Sequence, residues 1–339
     1  MNIEFIKSRI KNKEDIPLIE KSYNFANKKL FGINYTDGNP LIEHVLEIIN
    51  TLLDFNADTL TIISAMLWQT LNYCSSIEEI TNEFDNTVAT ITYKVATINN
   101  LEHSNSNDYE LYLKEKLVDS PEDVRSLFIK LAERFNNLST MQNLPIELQK
   151  NVAQDTLDIL VPIASKLHLN FIRSRLEDLC LSYLEPEIYN KILNKLNGTP
   201  SELNLFLNNM KKRISDLLIE NGINCTIKGR VKNIYNIYNK LCTGKNWDDI
   251  YDILALRILT EEEADCYKIA ELIHSKYSYF SKRFKDYINN PKENIYQSLH
   301  TTIIDKDNRF YEIQIRTYDM NKTAESLHYL YKESMKKKL

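Results

Sequence analysis

A chain of 339 residues, 43% of them hydrophobic, with both signs of charge mixed to a net −5, has apolar surface enough for two domains of ordinary size. That balance excludes a general DNA or anionic-membrane binder, so any affinity for phosphates has to be local. No apolar run reaches membrane-spanning length, the N-terminus lacks a basic-then-apolar leader layout, and the five cysteines show no C-x-x-C spacing; the expected compartment is the cytoplasm.

From the start to about Tyr183 the apolar residues recur at helical spacing, as in Leu41, Val45, Leu46, Ile49 and Leu52, or Val152, Leu157, Ile159, Leu160 and Ile163. Pro17, Pro121, Pro145 and Pro162 punctuate this all-α half. The pattern breaks at Leu184-Glu185-Pro186 and again at Gly198-Thr199-Pro200. The expected division is a helical domain over 1–184, an interdomain region over 185–200 and a second domain over 201–339. Ser201 to Ile219 is again helical. Past Gly222, Ile223 to Ile227 alternates, Lys228-Gly229-Arg230-Val231-Lys232 reads as the opening of a helix, and Ile253 to Leu259 is a strand with the acid Asp252 projecting from it. Thr301 to Ile304 faces Tyr311 to Ile315 across Asp305-Lys306-Asp307-Asn308, the pattern of a hairpin. The fold class is therefore α + (α+β): an all-α domain, then a mixed β-sheet flanked by helices.

The second half concentrates cations, a stacking aromatic and carboxylates, a mixture that reads as a nucleotide site. Asp252 and Glu312, on neighbouring strands, suit one shared Mg²⁺, a hard cation that takes one or two carboxylates plus substrate phosphates. Arg230, Lys232 and Lys240 offer cations around a helix start, where backbone N–H groups also favour anions. Arg283, Lys285 and Lys292 form a second basic cluster. Tyr296, between Asn294 and the pair Gln297 and His300, is suited to stack on a purine while amides read its edge. Each has a plainer counterpart: a solvent-facing strand acid, a solvated lysine loop, a packing tyrosine among 20, or a polar strand face in which Glu312, Gln314 and Arg316 alternate with Ile313 and Ile315.

The strings Lys228–Lys232, Tyr251–Arg257, Arg283–Tyr287, Asn294–His300 and Glu312–Thr317 together resemble the synthetase domain of the RelA/SpoT homologue family over about Ile188 to Thr317. The resemblance implies a nucleotidyltransferase-like domain that acts as an ATP:GTP/GDP 3′-pyrophosphokinase and makes (p)ppGpp. It implies Asp252 as a Mg²⁺ ligand and Glu312 as a metal ligand or general base. Arg230, Lys232, Lys240, Arg257 and Lys285 fall on the ATP and phosphate side, and Lys292, Asn294, Tyr296, Gln297 and His300 at the acceptor guanine nucleotide, with Tyr296 as the stacking ring. Val231 stands where the family carries Pro, and the basic Arg283-Phe284-Lys285-Asp286 is similar to the form that goes with some preference for GDP. The same chemistry on an adenosine nucleotide or a tRNA 3′ end, and a non-catalytic guanine-nucleotide sensor, stay open as alternatives. ATP and GDP or GTP are the implied partners, a homo-oligomer is left open, and direct ribosome activation, which the family ties to regions past this length, is not expected.

The first half is similar to the family's HD-type hydrolase domain, which removes the 3′-pyrophosphate with Mn²⁺. Gly38, Pro40 and His44, then Leu131 to Thr140, Ala164 to Leu167 and Arg175 to Leu179 carry that resemblance. A Mn²⁺ site of this type needs two His and two Asp, yet the central His-Asp pair is Trp68-Gln69, the remaining Asp is Glu133, and the acidic pair that follows is Asn72-Tyr73. Tyr35 stands where the family's Arg contacts the substrate base. The expectation is a kept helical fold, a lost hydrolase and no Mn²⁺.

Overall fold

The computed structural model describes residues 2–35, 38–104, 121–196, 198–290 and 296–324. The chain divides into two compact units, Met1–Pro186 and Glu187–Leu339.

Among the described residues the regular elements of the first unit are helices, beside one isolated bridge between Asn34 and Pro40. In the helix Leu41–Asp54 the buried side chains Leu41, Val45, Leu46, Ile48, Ile49 and Leu52 mark one apolar stripe, as the spacing predicts. The next helix, Thr59–Tyr73, starts at Asp58, whose carboxylate accepts from the Thr61 amide at 2.9 Å, and is buried on every side from Thr61 to Thr70. It packs between the helices Ile16–Lys29 and Asn86–Ser104, and so forms the centre of this unit. Further on, the helix Ile146–Asp155 widens into a π-turn over Thr156–Leu160 and resumes as Val161–Lys166. Pro162, which lacks an N–H, sits in the first turn of the resumed helix, and the Val161 amide reaches back five residues to the Thr156 carbonyl. The proline therefore widens this helical run without breaking it.

The second unit begins inside the stretch expected to be interdomain. Residues 185–200 hold a helix, Pro186–Lys195: Pro186 occupies the first turn, where a missing N–H costs nothing, so the proline starts the element that it was expected to interrupt. The helix Pro200–Glu220 follows behind a capping box in which Thr199 and Glu202 satisfy each other's backbone amides.

The sheet is six-stranded: β1 Thr226–Val231, β2 Leu254–Thr260, β3 Ser278–Tyr279, β4 Lys285–Asp286, β5 Leu299–Ile304 and β6 Phe310–Thr317. The order is β1-β2-β6-β5-β3, with β4 also on β5; β2 and β6 run parallel and every other pairing is antiparallel. Two expectations change here. Lys228 to Val231 lie in β1 and open no helix; the helix is Ile234–Cys242, and the strand continues the alternation that begins at Ile223. Asp252 lies two residues before β2, in the irregular segment leading into it. The hairpin of β5 and β6 has the expected register, Ile304 opposite Phe310.

Strand alternation gives the sheet two unlike faces. Ile227, Leu254, Leu256, Ile258, Tyr311, Ile313, Ile315, Leu299 and Ile303 share one face and are buried. The helices Pro200–Glu220 and Glu263–Lys276 cover it. The fit is close at Gly229, where an added Cβ would stand 3.1 Å from one Leu207 side-chain carbon and 3.2 Å from Leu256. The polar residues are left to the opposite face.

Candidate active site

The register lays the polar face out in rows. One row crosses β1, β2, β6 and β5 as Arg230, Ala255, Glu312 and Thr302. The next row is Lys228, Arg257, Gln314, His300 and, on β4, Lys285. Residues from five strands, far apart in sequence, are thus assembled by hydrogen-bond register alone. The small Ala255 between Arg230 and Glu312 lowers the middle of the first row.

Asp252 lies at one end of this face, caught between two ammonium groups. Lys240 approaches its two oxygens at 2.9 and 2.8 Å, and Lys232 bonds to one of them. Burial pushes the Asp252 carboxyl up, but hydrogen bonds and charge from Lys232 and Lys240 more than reverse this and bring it down to about 2. Burial and the neighbouring Lys240 lower Lys232 to about 8, against the attraction of Asp252. At neutral pH the carboxylate therefore carries its full charge with two cations beside it. Two residues expected on the phosphate side, Lys232 and Lys240, here serve as counter-ions of the expected metal ligand.

Glu312 is held by a chain of polar groups. Its carboxylate lies 3.3 Å from His300 Nδ1, and His300 Nε2 lies 2.8 Å from the Tyr296 hydroxyl. Arg316 donates weakly to that hydroxyl at 3.5 Å and is fixed by Asn321, whose side-chain oxygen accepts from Arg316 at 3.2 and 2.7 Å and from Arg257 at 3.3 Å. Burial raises the Glu312 carboxyl, but the bond and charge of His300, together with Gln314, outweigh that and leave it below its ordinary value; the Asp252 charge acts in the opposite direction. The two carboxylates thus lie within electrostatic reach of each other. Their donor set is oxygen only, which fits Mg²⁺ and not a soft metal.

Arg230 and Lys285 lie exposed on β1 and β4, and Gln297 donates to the Ile288 carbonyl at 3.4 Å. Lys292 and Asn294 lie outside the described residues. Arg316 and Asn321 complete the constellation without having been singled out in the sequence. Alternation from Glu312 puts Arg316 on the same face; nothing in the sequence signals Asn321.

In the first unit, the residues expected at the hydrolase positions are engaged with other groups. The His44 ring lies flat on Tyr35, centroids 3.8 Å apart and planes 11° from parallel. Trp68 is buried in the core and Gln69 accepts from Asn72 at 3.4 Å. Glu133 accepts from Lys130 at 3.0 Å, and Lys130, itself 1% exposed, also binds Asn99 and Glu102. Among the described residues no three His, Cys, Asp or Glu side chains gather as a metal site, and no helix is long and apolar enough to cross a membrane.

A helical unit and a mixed sheet with a cationic face and two carboxylates define the class of architecture. Comparison with known proteins gives the family. Residues 229–336 match the region found in RelA / SpoT proteins, and residues 22–169 match the HD domain. A guanosine-3′,5′-bis(diphosphate) 3′-pyrophosphohydrolase of Spiroplasma citri is 34% identical over 335 residues, 97% of this chain and 45% of that protein. A GTP pyrophosphokinase of Myxococcus xanthus is 34% identical over 328 residues, 94% of this chain and 43% of the relative. The bifunctional (p)ppGpp synthase/hydrolase RelA of Mycobacterium tuberculosis is 32% identical over 327 residues, 95% and 44% respectively. The chain belongs to the RelA/SpoT family. It spans less than half the length of these three relatives.

Proposed function

We propose that the second unit is an ATP:GTP/GDP 3′-pyrophosphokinase and that the first unit is a hydrolase-type domain without hydrolase activity. The observation that carries the synthetase reading is the pair of ionised carboxylates, Glu312 on a sheet face whose other polar groups are mostly cations and Asp252 in the segment leading into β2. In the reaction the acceptor's 3′-oxygen attacks the β-phosphorus of ATP; the new O–P bond forms as the bond from that phosphorus to the α-phosphate oxygen breaks, and AMP leaves. Glu312, kept ionised by His300, takes the proton of the 3′-hydroxyl. Arg230, Lys232, Lys240, Arg257 and Lys285 supply the positive charge that a triphosphate needs, and Tyr296 stacks on the acceptor base. Asp252 and Glu312 would hold the Mg²⁺, which supplies neutralisation of the phosphate chain.

With Asp252 holding the metal, Lys232 and Lys240 would be left to the phosphates, so the site carries its cations before the nucleotide arrives. The loss of hydrolysis is supported by what occupies the first unit's positions. Trp68 offers no ligand, Gln69 is a weak neutral one, His44 is stacked on Tyr35, and the Glu133 carboxylate is neutralised by Lys130.

The test is incubation of the purified chain with ATP, Mg²⁺ and GDP, GTP or ADP, with nucleotides separated by anion exchange. A 3′-pyrophosphorylated guanine nucleotide with equimolar AMP, abolished by chelating Mg²⁺, is the expected result. No product with any acceptor overturns the synthetase reading, and Mn²⁺-dependent release of pyrophosphate from ppGpp overturns the hydrolase part.

A further inference from the structure

We propose that His300 is a positioning residue that ties the acceptor-base platform to the carboxylate that receives the proton, holding Tyr296 and Glu312 at one fixed separation. This deepens the pyrophosphokinase reading and rests on it. His300 was expected to touch the acceptor nucleotide, but both of its ring nitrogens are turned to groups of this chain: Nδ1 to Glu312 at 3.3 Å and Nε2 to the Tyr296 hydroxyl at 2.8 Å. An ionised carboxylate only accepts, so Nδ1 turns its hydrogen to Glu312, while Nε2 has the tyrosine hydroxyl as its partner. The imidazole is rigid, and its place is fixed from several sides. Its backbone pairs with Gln314 on one strand and Lys285 on another, and the Tyr287 ring packs perpendicular to it at 5.3 Å.

The other end of the tie is fixed as well. The Tyr296 hydroxyl also meets Arg316, whose guanidinium lies 5.7 Å from the centre of the tyrosine ring and is bound through two nitrogens by Asn321. The hydroxyl of Tyr296 is thus committed to the chain, and it is the ring that the pyrophosphokinase reading assigns to the base. A nucleotide stacked there reaches Glu312 through its ribose. The position of the base and the position of the proton acceptor then become one quantity, set by an imidazole. A misplacement of about 1 Å between them is enough to cost about 100-fold in rate.

The experiment compares wild type with His300→Ala, His300→Asn, His300→Gln and Tyr296→Phe, measuring kcat, the acceptor KM and, by calorimetry, the Kd for GDP. His300→Ala is expected to lower kcat by about 10- to 100-fold while the Kd for GDP stays close to wild type, because the stacking ring remains. Tyr296→Phe removes only the hydroxyl and moves kcat the same way; combined with His300→Ala it adds no further loss, since the two changes cut the same tie. The amide of His300→Asn stands where Nδ1 did and that of His300→Gln where Nε2 did, so each restores one contact and part of the rate. A weakened Kd for GDP with unchanged kcat would make His300 a direct base contact and sink the proposal. So would multiplicative losses in the double variant, or a lowered melting temperature with unaltered kcat. A wild-type chain that makes no product removes the pyrophosphokinase reading itself, and this assignment with it, an outcome visible before any variant is compared.

Discussion

Replacing Asp252 by Asn keeps the shape of the side chain and removes its charge. Asp252 is 16% exposed and holds two ammonium groups, of which Lys232 is 9% exposed. A carboxyl brought from 3.8 to about 2 is stabilised in the folded chain by roughly 2.5 kcal/mol relative to the unfolded one. The folded value is the lower of the two, so this stability is present above pH 3.8 and is lost as pH falls through about 2. At pH 7, D252N is expected to be less stable than wild type by about 2 kcal/mol or somewhat more, because it also leaves the buried Lys232 ammonium without its partner. The gap closes as pH drops from about 4 to about 2, where the wild-type carboxyl takes up its proton and comes to resemble the amide. Urea unfolding between pH 7 and pH 2 measures this. In a Trp68→Phe background the fluorescence comes from Trp247 alone and reports the second unit. A gap that stays constant to pH 2, or no gap at pH 7, refutes the picture of Asp252 as an anion held between two lysines.

Glu312→Gln is expected to keep the fold and lower pyrophosphoryl transfer by about 100-fold or more, since it removes the proton acceptor and one metal ligand together; steady-state rates beside a circular-dichroism melt separate the two effects. Lys130→Met leaves Glu102 and Glu133 in the first unit's interior without the ammonium that joins them, and should cost about 3 kcal/mol, or roughly 6–12 °C in melting temperature. An unchanged melt would mean that the cluster is solvated. Gly229→Ala puts a Cβ 3.1 Å from a Leu207 side-chain carbon and 3.2 Å from Leu256, so these buried side chains have to give by a few tenths of an ångström. A loss of about 1–3 kcal/mol in urea unfolding is expected, and a neutral result would deny that close packing.

The parts legible in the sequence are those set by local pattern. The β5–β6 hairpin could be read because β-branched runs flank the polar turn Asp305–Asn308, and the apolar stripe of Leu41–Asp54 because helix period and burial agree. Lys228 to Lys232 misled because three cations around a glycine look like a helix opening, whereas β-pairing with β2 decides the matter, and pairing is not a local property. For the same reason Asp252 was placed on a strand that begins two residues later. The site's polar residues were visible one at a time; their connections were not. Lys232, Lys240 and Asp252 each suggest a role, but that the three meet depends on how the helix Ile234–Cys242 turns back on the segment before β2. Asn321, which clamps two arginines, leaves no trace in composition or spacing.

Glu312 rides on β6, which is bonded along both edges, parallel to β2 and antiparallel to β5. Such a strand opens only when much of its sheet opens, so its amides should be among the last in the unit to exchange with solvent deuterium. Asp252 stands in irregular chain, and Lys285 on a strand of two residues. The carboxylate assigned to proton transfer is therefore an anvil, whereas Asp252 and Lys285, two of the groups assigned to metal and phosphate, are mounted where fewer strand bonds hold them. Adaptation to a different donor or acceptor has compliant segments to work on, while the point at which the bond is made stays where the sheet holds it.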